Sequence, residues 1–156
     1  MSNATLLTLW DEVRGKTLQL LDGVTETESL WSPPGLDNSI RWHAGHCYVV
    51  VEFLCAKALQ TMPQCPEGWF ELFGWNSRPE LTRPDEWPPL EAVIVRLGQQ
   101  HERLRGVFAS LMPETLASRP PDLGGASVRR QIVHALHDEA SHGGEIWLLR
   151  KMLVRS

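Results

Sequence analysis

The chain has 156 residues, of which 42% are hydrophobic and 22% are charged, and its formal net charge is −4. This size suits one domain with one core, predicted over residues 1–156, and the acidic balance argues against a nucleic-acid-binding protein. Because the sequence has neither a run of about 18 apolar residues nor the basic and apolar regions of a signal peptide, we expect a cytoplasmic protein without membrane spans.

Hydrophobic spacing predicts four long helices. The first runs from about Thr5 to Leu21 and is followed by a linker in which Pro33-Pro34-Gly35 excludes helix. The second begins after Asn38 or Ser39, since either side chain can cap it, and runs to about residue 62.

The connection between the second and third helices, residues 63–88, is long and rich in proline and aromatic residues. A loop of this length in a compact domain is usually functional. The third helix follows Pro88-Pro89 and runs to about Met112, residues 113–126 are predicted as loop, and Ser127 caps a fourth helix that continues to the C-terminus. No strand-like alternation is present, so the pattern predicts an all-α four-helix bundle.

The three cysteines, Cys47, Cys55 and Cys65, give no paired framework for disulfide bonds. Cys47 and Cys55 fall in an apolar helical stretch, where buried structural thiols are the usual outcome.

The stretch HDEASHGGE, residues 137–145, interrupts the apolar stripe of the fourth helix. Asp138 and His142 lie one turn apart within that stripe, and His134 lies a further turn back near the same line. A carboxylate and an imidazole that face a core are costly unless they are paired or bind an ion. The apolar stripe consists of Val128, Ala135, Ile146, Leu149 and Leu153.

The second helix carries a matching polar residue, His46, one turn after Trp42 in its apolar stripe. His43 is rotated by about 60° and is expected near the rim. His46, Asp138 and His142 could therefore share one metal ion and leave a coordination position open, as in catalytic sites.

Other readings of these polar residues remain. Asp138 and His142 could be a pair that joins two helices, while His134 and His137 could face solvent. His101 has no evident partner. Further along, Gly143 and Gly144 could allow close helix approach or admit a ligand. Glu145 and Arg150 could support the site or form an ordinary surface pair.

Several stretches resemble signature segments of the DinB-like proteins. NSIRWHAGHCYVVVE, residues 38–52, is similar to that family's second helix, and HDEASHGGEIWLLRKML, residues 137–153, is similar to its last helix. The linker LWSPPGLDNSI and the loop segment GWFELFG also fit, so the resemblance covers most of the chain. It implies an up-down-down-up bundle with a long aromatic loop between helices two and three, and many members are homodimers.

The resemblance also implies a divalent ion held by three ligands, which map onto His46, Asp138 and His142. Asp138 stands where many members have His, although mycothiol-dependent maleylpyruvate isomerase has a carboxylate there, and Glu145 replaces the usual Gln. The family includes thiol S-transferases of the bacillithiol type. Sulfoxide synthases of thiohistidine biosynthesis have a similar bundle with iron, fused to a second domain that we do not find in this sequence.

Three functions follow as hypotheses. The first is a metal-dependent thiol S-transferase, in which Zn²⁺, Ni²⁺, Fe²⁺ or Mn²⁺ binds a low-molecular-weight thiol that attacks a small electrophilic substrate. The second is a metal-dependent hydrolase with Glu145 or His43 as base, and the third is a non-catalytic dimeric bundle with a structural or vestigial ion. The aromatic residues proposed as a substrate wall, or alternatively as core, are Trp69, Phe70, Phe73 and Trp75.

Overall fold

The computed structural model describes residues 3–155, and all of the regular structure in that range is helical. No helix within it is long and apolar enough to cross a membrane. The helices are α1 (Asn3–Leu21), α2 (Glu26–Leu30), α3 (Ile40–Leu59), α4 (Trp69–Phe73), α5 (Leu90–Ser110), α6 (Pro113–Ala117) and α7 (Val128–Arg155), with 3₁₀ turns at Pro79–Leu81, Pro84–Glu86 and Pro121–Leu123.

The four long helices, α1, α3, α5 and α7, form the predicted bundle. Contacts show that α1 and α7 run parallel to each other and antiparallel to α3 and α5, which confirms the up-down-down-up order. The contacts that fix these directions are Asn3–Leu111 and Arg14–Leu97 for α1 and α5, Arg14–Glu139 and Leu20–Arg150 for α1 and α7, His43–His142 and Cys47–Glu139 for α3 and α7, and Arg41–Pro88 and Glu52–Arg103 for α3 and α5.

The predicted loops contain three short helices, α2, α4 and α6, that hydrophobic spacing missed. Each has five residues, too few for an apolar repeat to show. Local chemistry starts two of them: Thr25 and Glu28 form a capping box at α2, and Pro113 occupies the first turn of α6.

The ends of the long helices also differ slightly from prediction. The helix α3 ends at Leu59 because Gln60 adopts a left-handed conformation with φ of 55°, and α5 ends at Ser110. At the other ends, the hydroxyls of Ser39 and Ser127 accept hydrogen bonds from the first turns of α3 and α7, as the capping prediction required.

A buried polar layer crosses the middle of the bundle and separates two apolar clusters. Its centre is an ion pair between Arg14 of α1 and Glu139 of α7, both fully buried, with Nε–Oε1 at 2.8 Å and Nη2–Oε2 at 2.8 Å. Thr17 donates to Glu139, and Gln100 accepts from Arg14 and donates to Glu52 of α3. We call these five residues the ion-pair network.

Packing of α4 against α3 brings the aromatic loop down onto the bundle. The ring of Phe73 lies so close to Gly45 that a Cβ added there would sit 2.2 Å from Phe73 Cδ1. Trp69 packs edge to face on Tyr48. The glycine at position 45 therefore allows the loop to reach the helix that carries His46.

Candidate metal centre

Three side chains from α3 and α7 converge near one end of the bundle. His46 Nε2 lies 3.8 Å from Asp138 Oδ2, and His142 Nε2 lies 3.6 Å from the same oxygen. One ligand atom from each residue falls within 4.8 Å of the other two, a spacing that allows all three to hold one metal ion. We call these residues the metal-candidate cluster.

The backbone of the aromatic loop fixes the tautomer of His46. His46 Nδ1 lies 2.6 Å from the carbonyl oxygen of Phe73, and a carbonyl can only accept, so Nδ1 carries the proton. In the neutral ring the unprotonated Nε2 then points toward Asp138. Burial lowers the pKa of His46, which favours this neutral form.

The oxygen at the centre of the cluster has no hydrogen-bond partner. Among the described side chains, only Asp138 Oδ2 and Arg129 Nε are buried polar atoms without one. A buried carboxylate oxygen opposite an imidazole lone pair is unfavourable unless a cation lies between them. The donors present, imidazole and carboxylate, therefore fit a divalent ion.

Aromatic rings enclose the cluster on the α3 side. The indole of Trp42 stacks on the His46 ring, with centroids 4.5 Å apart, and its Nε1 donates to Ser77. Trp75 meets His46 edge to face at 6.4 Å and is half exposed. Trp42 thus limits the movement of His46, while Trp75 stands where solvent and the cluster meet.

A second group, His43, His142 and Glu145, adjoins the first and shares His142 with it. His43 Nδ1 lies 2.9 Å from His142 Nδ1, and His43 Nε2 lies 3.0 Å from Glu145 Oε2. Burial and the neighbouring imidazoles lower the pKa of His43 to about 3, so the ring is neutral at physiological pH. Burial similarly lowers the pKa of His142.

His43 is buried and not at the rim, which corrects the expectation from the helical wheel. The 60° offset from His46 turns it toward α7, where it contacts His142 and Glu145. The spacing of three residues between His43 and His46 places both rings on one side of α3, and it could have indicated this role.

The remaining candidates lie elsewhere. His134 is exposed and belongs to neither group, and His137 is also exposed. Trp69 is buried in the apolar cluster against Tyr48, which favours the core alternative for this residue.

Two further polar residues, His101 and Arg150, have partners on a neighbouring helix. His101 Nε2 pairs with Asp11 at 2.8 Å, contrary to the expectation that it had none. Arg150 donates to the carbonyl of Leu20 at 2.7 Å and does not form a surface pair with Glu145.

The adjacent glycines of α7 face α1. Gly143 and Gly144 line a groove of about 580 Å³ between the two helices, with Thr17 and the half-exposed Trp147 among the other lining residues. The side chain nearest to a Cβ at position 143 is Leu20, at 3.8 Å. Their small size thus shapes the α1–α7 groove.

Comparisons with known proteins agree with the fold. A crystal structure of a conserved protein from Enterococcus faecalis superposes with a TM-score of 0.76 over 100% of this chain and 99% of that one, at 16% identity. Ergothioneine biosynthesis protein 1 of Neurospora crassa is 27% identical over 127 residues, which are 75% of this chain and only 13% of that much longer protein. The sequence pattern of the DinB superfamily matches residues 9–146, and the chain therefore belongs to the DinB superfamily.

Proposed function

We propose that this protein is a divalent-metal-dependent thiol S-transferase that acts on a small electrophilic substrate. The observation that carries the metal part is the unpartnered Asp138 Oδ2, which lies between two histidine Nε2 atoms at 3.6 and 3.8 Å. Two nitrogen donors and one oxygen donor suit Zn²⁺, Ni²⁺, Fe²⁺ or Mn²⁺.

The chain would contribute mainly position and enclosure. His46, Asp138 and His142 would hold the ion, Trp42 would keep the His46 ring in place, and Trp75 would border the approach from solvent. An ion bound by three protein ligands has room for another ligand, and it would lower the pKa of a thiol that binds there so that sulfur becomes nucleophilic at neutral pH.

We propose that the thiol comes from outside the chain. Burial raises the pKa of Cys55 to about 12 and of Cys65 to about 11, and it raises the pKa of Cys47 well above its usual range. Thiols with such pKa values are poor nucleophiles near pH 7. The similarity to a protein named for ergothioneine biosynthesis supports a low-molecular-weight thiol as the co-substrate.

The first experiment measures metal in untagged protein by elemental analysis and then replaces it with Co²⁺. We expect about one ion per chain, lost in His46→Ala and His142→Ala while the helical circular dichroism is kept. The exposed His134→Ala and His137→Ala serve as matched controls and should retain the ion. Full metal content in the His46 or His142 variant would contradict the ligand assignment.

The second experiment titrates low-molecular-weight thiols into the Co²⁺ protein. Sulfur binding should produce a charge-transfer band, and thiol consumption with a small electrophile should stop when chelator is added. An unchanged Co²⁺ spectrum would rule out the transferase reaction. Chelator-sensitive cleavage of nitrophenyl esters would instead favour a hydrolase, and absence of bound metal would leave a helical bundle without metal chemistry.

The same preparations test the proposed association. We propose a homodimer, as in many DinB-like proteins, and light scattering of the untagged protein would show whether two chains are present.

A further inference from the structure

We infer that His43 and Glu145 are positioning residues that set the tautomer of His142 and so aim its Nε2 lone pair at the metal-candidate cluster. The inference rests on the proposed metal centre. It concerns a chain of three contacts that runs from the surface of α7 to the cluster: Glu145 to His43, His43 to His142, and His142 to Asp138.

The direction of the hydrogen bonds follows from the outer end of this chain. An ionised carboxylate can only accept, so Glu145 Oε2 requires a proton on His43 Nε2, 3.0 Å away. The neutral His43 ring then has a lone pair on Nδ1. That lone pair faces His142 Nδ1 at 2.9 Å, so His142 must donate from Nδ1.

The inner end of the chain then meets the need of a metal ligand. A neutral His142 protonated on Nδ1 has its lone pair on Nε2, the nitrogen that lies 3.6 Å from Asp138 Oδ2. Ligating histidines usually donate their other ring N–H to a carboxylate or carbonyl, which fixes the ring and raises its basicity. His46 obtains this support directly from the Phe73 carbonyl, whereas His142 obtains it from a carboxylate through a second imidazole.

Burial supports this arrangement. His43 is only 2% exposed, whereas the Glu145 side chain is 55% exposed. Glu145 also borders a cavity of about 460 Å³, together with Asp37 and Asn38. Burial and the nearby Asp138 raise the pKa of Glu145, while its exposed side chain keeps the carboxylate in contact with water as it orients a buried ring.

Position 145 allows a graded test because substitutions there are exposed and should leave the fold intact. Gln can still accept from His43, Leu can neither accept nor donate, and Lys can only donate. Lys would reverse the direction of both hydrogen bonds, so that His142 presents an N–H to the metal-candidate cluster. We expect metal affinity to be nearly unchanged in Glu145→Gln, about 10- to 100-fold weaker in Glu145→Leu, and weakest in Glu145→Lys.

A control separates hydrogen-bond direction from charge. Ser141 is exposed one turn earlier on α7, where its hydroxyl donates to the His137 carbonyl. Ser141→Lys places a lysine on the same side of the helix without the His43 contact, although it changes the net charge by one unit, whereas Glu145→Lys changes it by two. It should weaken the metal only a few-fold, and high salt should restore that loss but not the loss in Glu145→Lys.

The second readout needs no metal. Long-range ¹⁵N–¹H correlation spectra of the metal-free protein should show His142 protonated on Nδ1 and His43 on Nε2, with both reversed in Glu145→Lys. If His142 carries its proton on Nε2 in the unsubstituted protein, or if Glu145→Leu binds metal as tightly, the inference is wrong. Loss of metal in Glu145→Gln would also overturn it, because that result would make Glu145 a direct ligand. An unsubstituted protein that binds no metal would count against the proposed function, while the tautomers would still be measurable.

Discussion

Two buried polar clusters meet at consecutive residues of α7 and differ in how fully their atoms are partnered. Glu139 receives hydrogen bonds from both the guanidinium of Arg14 and the hydroxyl of Thr17, within a network that reaches Gln100. Asp138, one residue earlier, has a buried oxygen with no partner. The ion-pair network is complete without an added ion, whereas the metal-candidate cluster has an oxygen that a cation could partner. The number of hydrogen-bond partners, more than burial, therefore distinguishes the ion-pair network from the candidate metal site.

The largest expected effect is the loss of stability in Glu139→Gln, in the ion-pair network. The matched change in the metal-candidate cluster is Asp138→Asn. Glu139→Gln leaves the fully buried Arg14 without its anion, and loss of one partner of a buried pair costs about 3–5 kcal/mol. Asp138→Asn removes a charge that lacks a partner, so the metal-free protein should change by less than about 1 kcal/mol. Urea unfolding of metal-free protein measures both, and equal losses would remove the distinction.

A metal ion bound at the metal-candidate cluster should stabilise the folded protein. At a free ion concentration about 100 times the dissociation constant, binding adds about 2.7 kcal/mol to the free energy of unfolding. Thermal unfolding with Zn²⁺ and with chelator should differ accordingly. The difference should vanish in His142→Ala and persist in His134→Ala. Asp138→Asn should reduce it less than loss of a histidine does.

A smaller effect is expected where the loop meets α3. Gly45→Ala places a Cβ against the buried Phe73 ring, and such overpacking costs about 1–3 kcal/mol. Since the Phe73 carbonyl also holds His46 Nδ1, metal affinity should fall together with stability. The control Gly98→Ala, in a helix interior with open space around it, should instead stabilise by up to about 1 kcal/mol. Equal responses of the two variants would contradict the close approach.

The smallest effects concern the thiols, none of which belongs to the ion-pair network or to the metal-candidate cluster. Cys65 is half-buried, whereas Cys47 and Cys55 are buried, and raised pKa values leave little thiolate at neutral pH. A disulfide reagent at pH 7 should modify Cys65 slowly, and the other two only after unfolding in urea. Fast reaction of any cysteine in the folded protein would contradict the assignment of the nucleophile to an external thiol.

The residues of the metal-candidate cluster could be predicted from the sequence, whereas the ion-pair network could not. His46, Asp138 and His142 were detectable because each interrupts an apolar stripe, and a polar residue there needs an explanation. Arg14 and Glu139 were not detected, since charged side chains on helices are ordinarily solvated and neither position signals its burial. Most helix boundaries followed from periodicity, caps and prolines, and the up-down-down-up order was implied by the resemblance to DinB-like proteins. The one-turn helices in the loops were too short to be detected.

The same limit applies to contacts between side chains on different helices. A wheel gives the angle of His43 on α3, but only the packing of α3 on α7 brings it to His142 and Glu145. The pairing of His101 with Asp11 depends in the same way on how α1 meets α5. Such partners require the relative positions of helices, which a single sequence does not supply.

The adjacency of Asp138 and Glu139 has a mechanical consequence for α7. Any rotation of this helix about its axis, or a slide by one residue, would pull Glu139 away from Arg14. The ion-pair network therefore fixes the rotation and the register of α7, so that Asp138 and His142 remain directed toward α3. A substitution at position 138, or in the residues around the loop, should leave this alignment intact as long as the Arg14–Glu139 ion pair is kept.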